Sequence, residues 1–314
     1  MKIVILEPLG VSSAELQELA QSYLSSDDEL KIAEESLELV SAMTEFAADA
    51  EAVVIANGEL PAELIEALPK LRFVGVAFTG VDHVDLEACQ ARDIVVSNCA
   101  GYATSSVADL TFGLTIGLLR EMKQADQVTR EQGTKEGLRQ TELAGLTFGI
   151  IGMGAIGRKV AEIARAFDCN VIAYNRSAFE LEGVKQVDLD TILRESNVVS
   201  LHVPLTNETQ GMIGAGELAK MRPDALLINT ARGPVVDSQA LADSLAEGKI
   251  RGAGLDVFDK EPPIASDDPL LTAPNTLLAP HIGFASEQAL VKRAKMTFAN
   301  LDAWRSGEPQ NVVS

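Results

Sequence analysis

Two hydrophobic patterns alternate along this chain. Short apolar runs rich in β-branched residues fall at 2–6 (KIVIL), 52–56 (AVVIA), 72–76 (RFVGV) and 94–96 (IVV), and amphipathic stretches at helical spacing lie between them. The rhythm continues at 147–151 (TFGII), 170–174 (NVIAY), 197–201 (NVVSL), 225–229 (ALLIN), 252–256 (GAGLD) and 276–279 (TLLA). Continuous apolar strands are buried on both faces, and strands that alternate with helices lie parallel. The pattern therefore predicts an α/β fold with two blocks of doubly wound parallel sheet. Between the blocks, TSSVADLTFGLTIGLLREMKQADQVTR (104–130) lacks proline and predicts one long connector helix capped by Ser105 or Ser106. A final helix is predicted over 286–304, with apolar spacing at Leu290, Ala294, Phe298 and Leu301. Periodicity alone leaves open which block it joins.

Composition narrows the function classes. A chain of 314 residues has room for two domains, each with its own core. Lys plus Arg number 26 against 46 Asp plus Glu, a net charge of −20, which repels phosphate backbones and anionic lipid. Nucleic acid and membrane surfaces are thus not expected partners. Half of that deficit sits in residues 11–52, with eleven acids and one lysine, and reads as a solvated outer face. No apolar run reaches 18 residues, and MKIVILEPLG begins as a strand and a turn rather than a signal peptide, so the expected location is the cytoplasm. Cys89, Cys99 and Cys169 are odd in number and widely spaced, without a Cys-x-x-Cys pair; they are expected to be buried thiols, and no metal site is expected.

The first chemical signal is Gly152-Met-Gly154-Ala155-Ile156-Gly157, directly after the strand TFGII and directly before RKVAEIARAFD, a helical pattern. In that context Gly152 makes a tight turn, Gly154 lets a pyrophosphate approach the backbone, and Gly157 lets helix and strand pack closely. The helix N-terminus supplies N–H groups and positive dipole to the phosphates. The second strand, NVIAY, ends at Asn175-Arg176-Ser177, where an NAD-selective site would place an acid on the ribose 2′-hydroxyl. The acid is absent, and a guanidinium pairs with phosphate oxygens, so NADP is expected in preference to NAD. The plain alternative is that Arg176 is a solvated loop charge.

Only three histidines, His83, His202 and His281, can serve as proton donors near neutral pH. His281 follows one strand in Ala-Pro-His-Ile-Gly, Glu261 follows another after Asp-Val-Phe-Asp-Lys, and Arg232 follows a third in Asn-Thr-Ala-Arg-Gly-Pro. All three fall at the carboxyl ends of strands, where open α/β sheets keep their ligands. His83 follows Asp82 in a turn and reads as structural.

The segments NTARGPVVD, GLDVFDKEPP and LAPHIG, with GVDHVD, SSVADLTFGLTIGLLR, the glycine loop and LHVPLTNET, resemble the signature segments of the D-isomer-specific 2-hydroxyacid dehydrogenases over nearly the whole chain. The resemblance implies two Rossmann-like domains: a discontinuous substrate domain formed by 1–99 and 284–314, and an inserted dinucleotide-binding domain at 100–283. It implies homodimers, and an NAD(P)-dependent interconversion of a small 2-oxo acid and its D-2-hydroxy acid. His281 would be the proton donor, Glu261 would hold its ring, and Arg232 would clamp the substrate carboxylate and carbonyl. The backbone of Ala77, Phe78, Thr79 and Gly80 would bind the carboxylate. Thr230, Ala231, Asp256 and Val107 would lie near the nicotinamide half of the cofactor, and His202, Val203, Pro204 and Thr209 near its adenosine and phosphates. The phosphoglycerate branch commonly has an Arg in the loop that here reads Ala56-Asn57-Gly58-Glu59, and its long members carry a regulatory extension. Both departures favour glyoxylate, hydroxypyruvate or a short analogue over a phosphorylated substrate. Phosphoglycerate dehydrogenase and a nucleotide-sensing binding protein of the same fold are the alternatives. A formate or phosphite dehydrogenase would show another base partner where Glu261 stands.

Overall fold

A computed structural model of the chain describes residues 1–37 and 39–313; Glu38, within the acidic 11–52 stretch, and Ser314, the last residue of the 284–314 segment, lie outside the described residues. The chain divides into two compact units, Met1–Ala103 with Ala285–Ser314, and Thr104–Phe284.

The first unit is built on β1 (Lys2–Ile5), β2 (Glu29–Ile32), β3 (Ala52–Ile55), β4 (Phe73–Val76) and β5 (Val95–Asn98). They form a parallel sheet in the order β2-β1-β3-β4-β5, with α1 (Ser13–Ala20), α2 (Val40–Phe46), α3 (Ala62–Ala67) and α4 (Leu86–Ala91) in the connections. Consecutive strand residues feed opposite faces. Val4, Val53, Val74 and Val96 enter one apolar cluster, while Ile5 and Val54 enter another on the far side. The sheet is therefore buried on both faces, which is why its inner strands show unbroken apolar runs.

The second unit begins with α5 (Thr104–Leu119) and α6 (Met122–Arg130), then runs β6 (Thr147–Ile151), α7 (Ala155–Ala166), β7 (Asn170–Tyr174), β8 (Val184–Gln186), α8 (Leu189–Glu195) and β9 (Val198–Leu201). It continues with α9 (Ala215–Leu218), β10 (Leu226–Asn229), α10 (Ser238–Ala246), β11 (Gly252–Leu255) and β12 (Thr276–Leu278). Its seven strands are parallel in the order β12-β11-β10-β9-β6-β7-β8. Ile150, Val198 and Leu226 point into one cluster and Ile151, Val199 and Leu227 into the other, so this sheet too is covered on both sides. The chain thus has the α/β architecture of two parallel sheets that its sequence predicts.

The last helix, α11 (Glu287–Arg305), is capped by Ser286 and packs on the first sheet. Ala294 and Phe298 join Ile5 and Val54, and Leu301 joins Ile3 and Phe73. Trp304 stacks on Phe73 with ring centroids 5.0 Å apart.

The expected single connector helix is corrected by the structure. Helix α5 ends at Leu119, and α6 starts after Glu121, which adopts a left-handed φ of 47°. The break is stabilised from outside the helix: the Leu119 carbonyl accepts from the Thr141 amide (3.1 Å) and from Arg251 Nη2 (3.1 Å), and Glu121 Oε2 accepts from the Arg139 amide (2.7 Å). Ser105 and Ser106 do not cap α5 from outside, because the helix already includes Thr104. Strands β2 and β8 have no counterpart among the predicted strands. Each is a sheet edge with exposed or half-buried residues, so neither carries the apolar run that marks a buried strand.

The three cysteines are free and buried. Burial pushes each thiol up to about 11, so none is a thiolate near neutral pH. Among the described residues no helix is long and apolar enough to cross a membrane, and no cluster of three or more His, Cys, Asp or Glu side chains could hold a metal ion.

Candidate active site

The glycine loop leaves β6 at Ile151 and enters α7 at Ala155. Gly152 has φ +99°, and a Cβ there would stand 2.5 Å from the His202 carbonyl oxygen, so only glycine fits between the ends of β6 and β9. Gly157 packs its Cα face onto the Gly152 carbonyl, which brings α7 close to the strand. Helix α7 has Gly154 as N-cap and no side-chain capping bond. Gly154 and Ala155 are exposed, Ile156 is half-buried, and the space beside Gly154 is open. An uncapped N-terminus of a twelve-residue helix, open to solvent behind a glycine turn, fits a pyrophosphate.

Neighbouring loops brace this cradle. Asn175 Oδ1 accepts from the Met153 amide (3.0 Å) and its Nδ2 donates to the Ser177 carbonyl (2.9 Å), so Asn175 ties the end of β7 to the glycine loop. Arg176 is exposed and ion-paired with Glu208, itself exposed, an arrangement that solvent weakens. Thr209 Oγ1 donates to the Pro204 carbonyl (2.6 Å) and accepts from the Thr206 amide (2.8 Å), closing the loop after β9, in which Val203 is half-buried and Pro204 exposed. His202 Nε2 lies 2.8 Å from Ser200 Oγ, whereas Nδ1 is shut away from solvent without a hydrogen-bond partner. With a charged ring so poorly compensated, burial pushes the His202 imidazole down to about 3.

At the other side of the same sheet, three neighbouring strands end in the charged residues. Arg232 follows β10, Glu261 follows β11 and His281 follows β12. Glu261 Oε1 is 2.7 Å from His281 Nδ1, and its Oε2 accepts from the Phe258 amide (3.1 Å), so the carboxylate is fixed at one end and holds the imidazole at the other. The Nδ1 side of the ring is thereby engaged, and the ring meets Phe284 in a T-shaped contact, with centroids 5.5 Å apart. Arg232 Nη1 donates to the Ala231 carbonyl (2.8 Å), Asn229 Nδ2 donates to the Arg232 carbonyl (2.9 Å), and Asn229 Oδ1 accepts from the Ala231 amide (3.0 Å). A Cβ on Gly233 would strike the backbone of Phe258, so the Arg232 turn lies directly against the loop that carries Glu261. Thr230 shares a hydroxyl contact with Thr111 (3.1 Å), and Val107 is buried beside Gly283.

Asp256 does more than its sequence context reveals. It is 1% exposed, its Oδ1 accepts from the Ile282 amide (2.8 Å), its Oδ2 from the Gly283 amide (2.8 Å), and its carbonyl from the His281 amide (2.8 Å). Burial pushes its carboxyl above the usual range, opposed by those amides.

In the first unit, Ala77, Phe78, Thr79 and Gly80 form the loop at the carboxyl end of β4. The Phe78 carbonyl accepts from the Cys99 amide (2.9 Å), the Thr79 carbonyl accepts from Asn98 Nδ2 (2.7 Å), and Phe78 tilts against Tyr102. With those carbonyls engaged, the loop has a defined course. The adjacent loop after β3 is held by Glu7, a buried residue that sequence reasoning missed: its Oε1 accepts from the Ala56 and Gly58 amides, both at 2.7 Å. Its only signal is a carboxylate directly after an apolar strand, a position that a solvated turn would fill equally well. The His83 carbonyl accepts from the Leu60 amide in the same unit.

Residues 112–283 match the family model described as the D-isomer specific 2-hydroxyacid dehydrogenase, NAD binding domain. A glyoxylate reductase of Korarchaeum cryptofilum is 43% identical over 277 residues, which cover 85% of this chain and 83% of the relative. A D-3-phosphoglycerate dehydrogenase of Methanocaldococcus jannaschii is 38% identical over 92% of this chain but only 57% of its own length. The solved structure of an acyclic imino acid reductase in complex with NADPH and D-Arg superposes with a TM-score of 0.91 at 29% identity, covering both chains in full. Set beside two parallel sheets, a glycine cradle and a carboxylate-held histidine, these likenesses show that the chain belongs to the D-isomer-specific 2-hydroxyacid dehydrogenase family, whose members use NAD(P) on small hydroxy and oxo acids.

Proposed function

We propose that this chain interconverts a small 2-oxo acid and its D-2-hydroxy acid, with His281 as the proton donor and acceptor. The observation that carries the reading is the 2.7 Å contact between His281 Nδ1 and Glu261 Oε1. A carboxylate fixed by the Phe258 amide keeps the imidazole in one orientation and directs Nε2 away from itself. When bound, the reduced nicotinamide supplies a hydride to C2 of the substrate. As the carbonyl oxygen gains charge, the protonated His281 gives it a proton, and in the reverse direction the neutral ring takes the proton from the alcohol. Arg232 binds the substrate carboxylate and carbonyl, fixing the face presented to the hydride. The backbone of Ala77, Phe78, Thr79 and Gly80 gives the carboxylate N–H donors. Gly152, Gly154, Ala155, Ile156 and Gly157 would hold the pyrophosphate, with His202, Val203, Pro204 and Thr209 contributing to the adenosine and phosphate side, and Thr230, Ala231, Asp256 and Val107 would serve the nicotinamide half.

In this reading the discontinuous unit binds the substrate, the inserted unit binds the cofactor, and the enzyme works as a cytoplasmic homodimer. Glyoxylate or hydroxypyruvate suits the site better than a phosphorylated acid, because the loop after β3, Ala56-Asn57-Gly58-Glu59, offers no Arg to a phosphate and carries Glu59, which repels one. NADPH is preferred over NADH: Asn175 and Ser177 carry no charge, and Arg176 can exchange its exposed Glu208 partner for a 2′-phosphate. The relative solved with NADPH is in keeping with that preference. Steady-state rates with both cofactors test it. A higher kcat/KM with NADPH that inverts or levels in Arg176→Ala supports the assignment, and a lower kcat/KM with NADPH in the wild-type enzyme overturns it.

A further inference from the structure

His281 has a backbone φ of +54°, a conformation that residues with a Cβ rarely adopt. Something must hold it there, and the structure supplies one partner for the whole turn. The amides of His281, Ile282 and Gly283, three in succession, all donate to Asp256: the first to its carbonyl oxygen, the second to Oδ1 and the third to Oδ2, each at 2.8 Å. Two of these consecutive N–H groups, those of Ile282 and Gly283, converge on the carboxylate, a nest whose anion belongs to the protein itself, while the His281 amide is held by the backbone carbonyl of the same residue. The carboxylate is buried, so water does not compete for these bonds. The third amide comes close enough only because residue 283 is glycine: a Cβ there would stand 2.7 Å from Asp256 Oδ2, inside any real contact distance.

We propose that Asp256 and Gly283 are positioning residues that lock the left-handed turn presenting His281, so that the imidazole meets Glu261 and the substrate in one fixed place. The inference rests on the proton-transfer role assigned to His281 and adds the device that fixes it. It separates two jobs for Asp256. A side chain that only touched the nicotinamide would govern cofactor affinity. A clasp on the His281 turn governs kcat, because a displacement of about 1 Å at a reacting group costs on the order of a hundredfold in rate.

Asp256→Asn tests the clasp by replacing one acceptor oxygen with an NH2 group that faces an amide donor. Gly283→Ala tests it by pushing the carboxylate away while preserving every charge. Three quantities are measured for each variant: amide hydrogen exchange at positions 282 and 283, the NADPH dissociation constant by fluorescence, and kcat with glyoxylate. The expected result is lost protection of those amides and a fall in kcat of about ten- to a hundredfold, larger than any accompanying change in cofactor affinity. Retained amide protection in Asp256→Asn overturns the proposal. So does a fall in activity that appears entirely as weaker cofactor binding, or Gly283→Ala with wild-type kcat. His281→Gln, assayed in parallel, separates the two claims: if it keeps full kcat while Asp256→Asn loses amide protection, the clasp stands as a structural feature and the proton-transfer role fails.

Discussion

The buried ring of His202 makes a prediction whose size follows from its surroundings. Its imidazole is held down to about 3 by burial, against about 6.5 in an unfolded chain. Between those values the unfolded state binds a proton that the folded state refuses, so stability is lost as pH falls below 6.5 and the loss levels off near 3. For a single site with these two constants, moving from pH 7.5 to pH 5.0 costs about 2 kcal/mol, at about 1.4 kcal/mol per unit once below 6.5. Glutamine at this position cannot take up the proton, and its amide can still reach Ser200 in place of the 2.8 Å contact from Nε2. Urea unfolding followed by circular dichroism, for wild type and His202→Gln at both pH values, isolates the effect. All other groups titrate in both proteins and cancel in the double difference. The wild type is expected to lose about 2 kcal/mol more than the variant over this interval. Among the three histidine ring signals in an NMR titration, the one missing from His202→Gln is expected to stay at its neutral position down to pH 5. Equal losses in the two proteins, or a His202 signal that titrates near 6.5, would refute the reasoning.

Further outcomes follow from other parts of the molecule. Phe298 is 1% exposed and packs with Ile5 and Val54, so Phe298→Ala is expected to destabilise the first unit by about 3–5 kcal/mol. Trp304 is the chain's single tryptophan and lies in the same unit, stacked on Phe73, so its fluorescence reports that transition; a change below about 1 kcal/mol would contradict the packing described. Gly152→Ala must place a Cβ 2.5 Å from the His202 carbonyl oxygen at φ +99°, a strain that reshapes the cradle. NADPH affinity measured by fluorescence titration is expected to weaken about tenfold or more, and an unchanged dissociation constant would show that the turn does not contact the cofactor.

The central strands are legible in the sequence because burial on both faces favours unbroken apolar runs, as in AVVI of β3 and the Leu226–Ile228 run of β10. Edge strands β2 and β8 face solvent along one side and escape that demand. The break at Glu121 is invisible for a different reason: it depends on Arg251, Arg139 and Thr141, whose groups reach the helix end from 18 to 132 positions away in sequence. Local helical pattern carries no trace of them. At the site, glycine spacing and three strand-end motifs single out segments that the structure sets at the carboxyl ends of neighbouring strands, and they stand out because each residue type answers a chemical need. The grip of Asp256 on residues 281–283 lies beyond reach, since it arises from two loops 26 and 27 positions apart that only the sheet order makes neighbours. Glu7 is similar: an acid after a strand is ordinary until the backbone of Ala56 and Gly58 is seen to need an acceptor.

The most direct test of the account is NADPH and NADH oxidation at 340 nm by wild type and His281→Gln, against glyoxylate, hydroxypyruvate, pyruvate, a branched 2-oxo acid and 3-phosphohydroxypyruvate. Reduction of a small unphosphorylated 2-oxo acid by the wild type is expected, with kcat lower by about two to four orders of magnitude in the variant and cofactor affinity little changed. No turnover of any of these acids by a wild-type protein that binds the cofactor, or an undiminished kcat in His281→Gln, would contradict it.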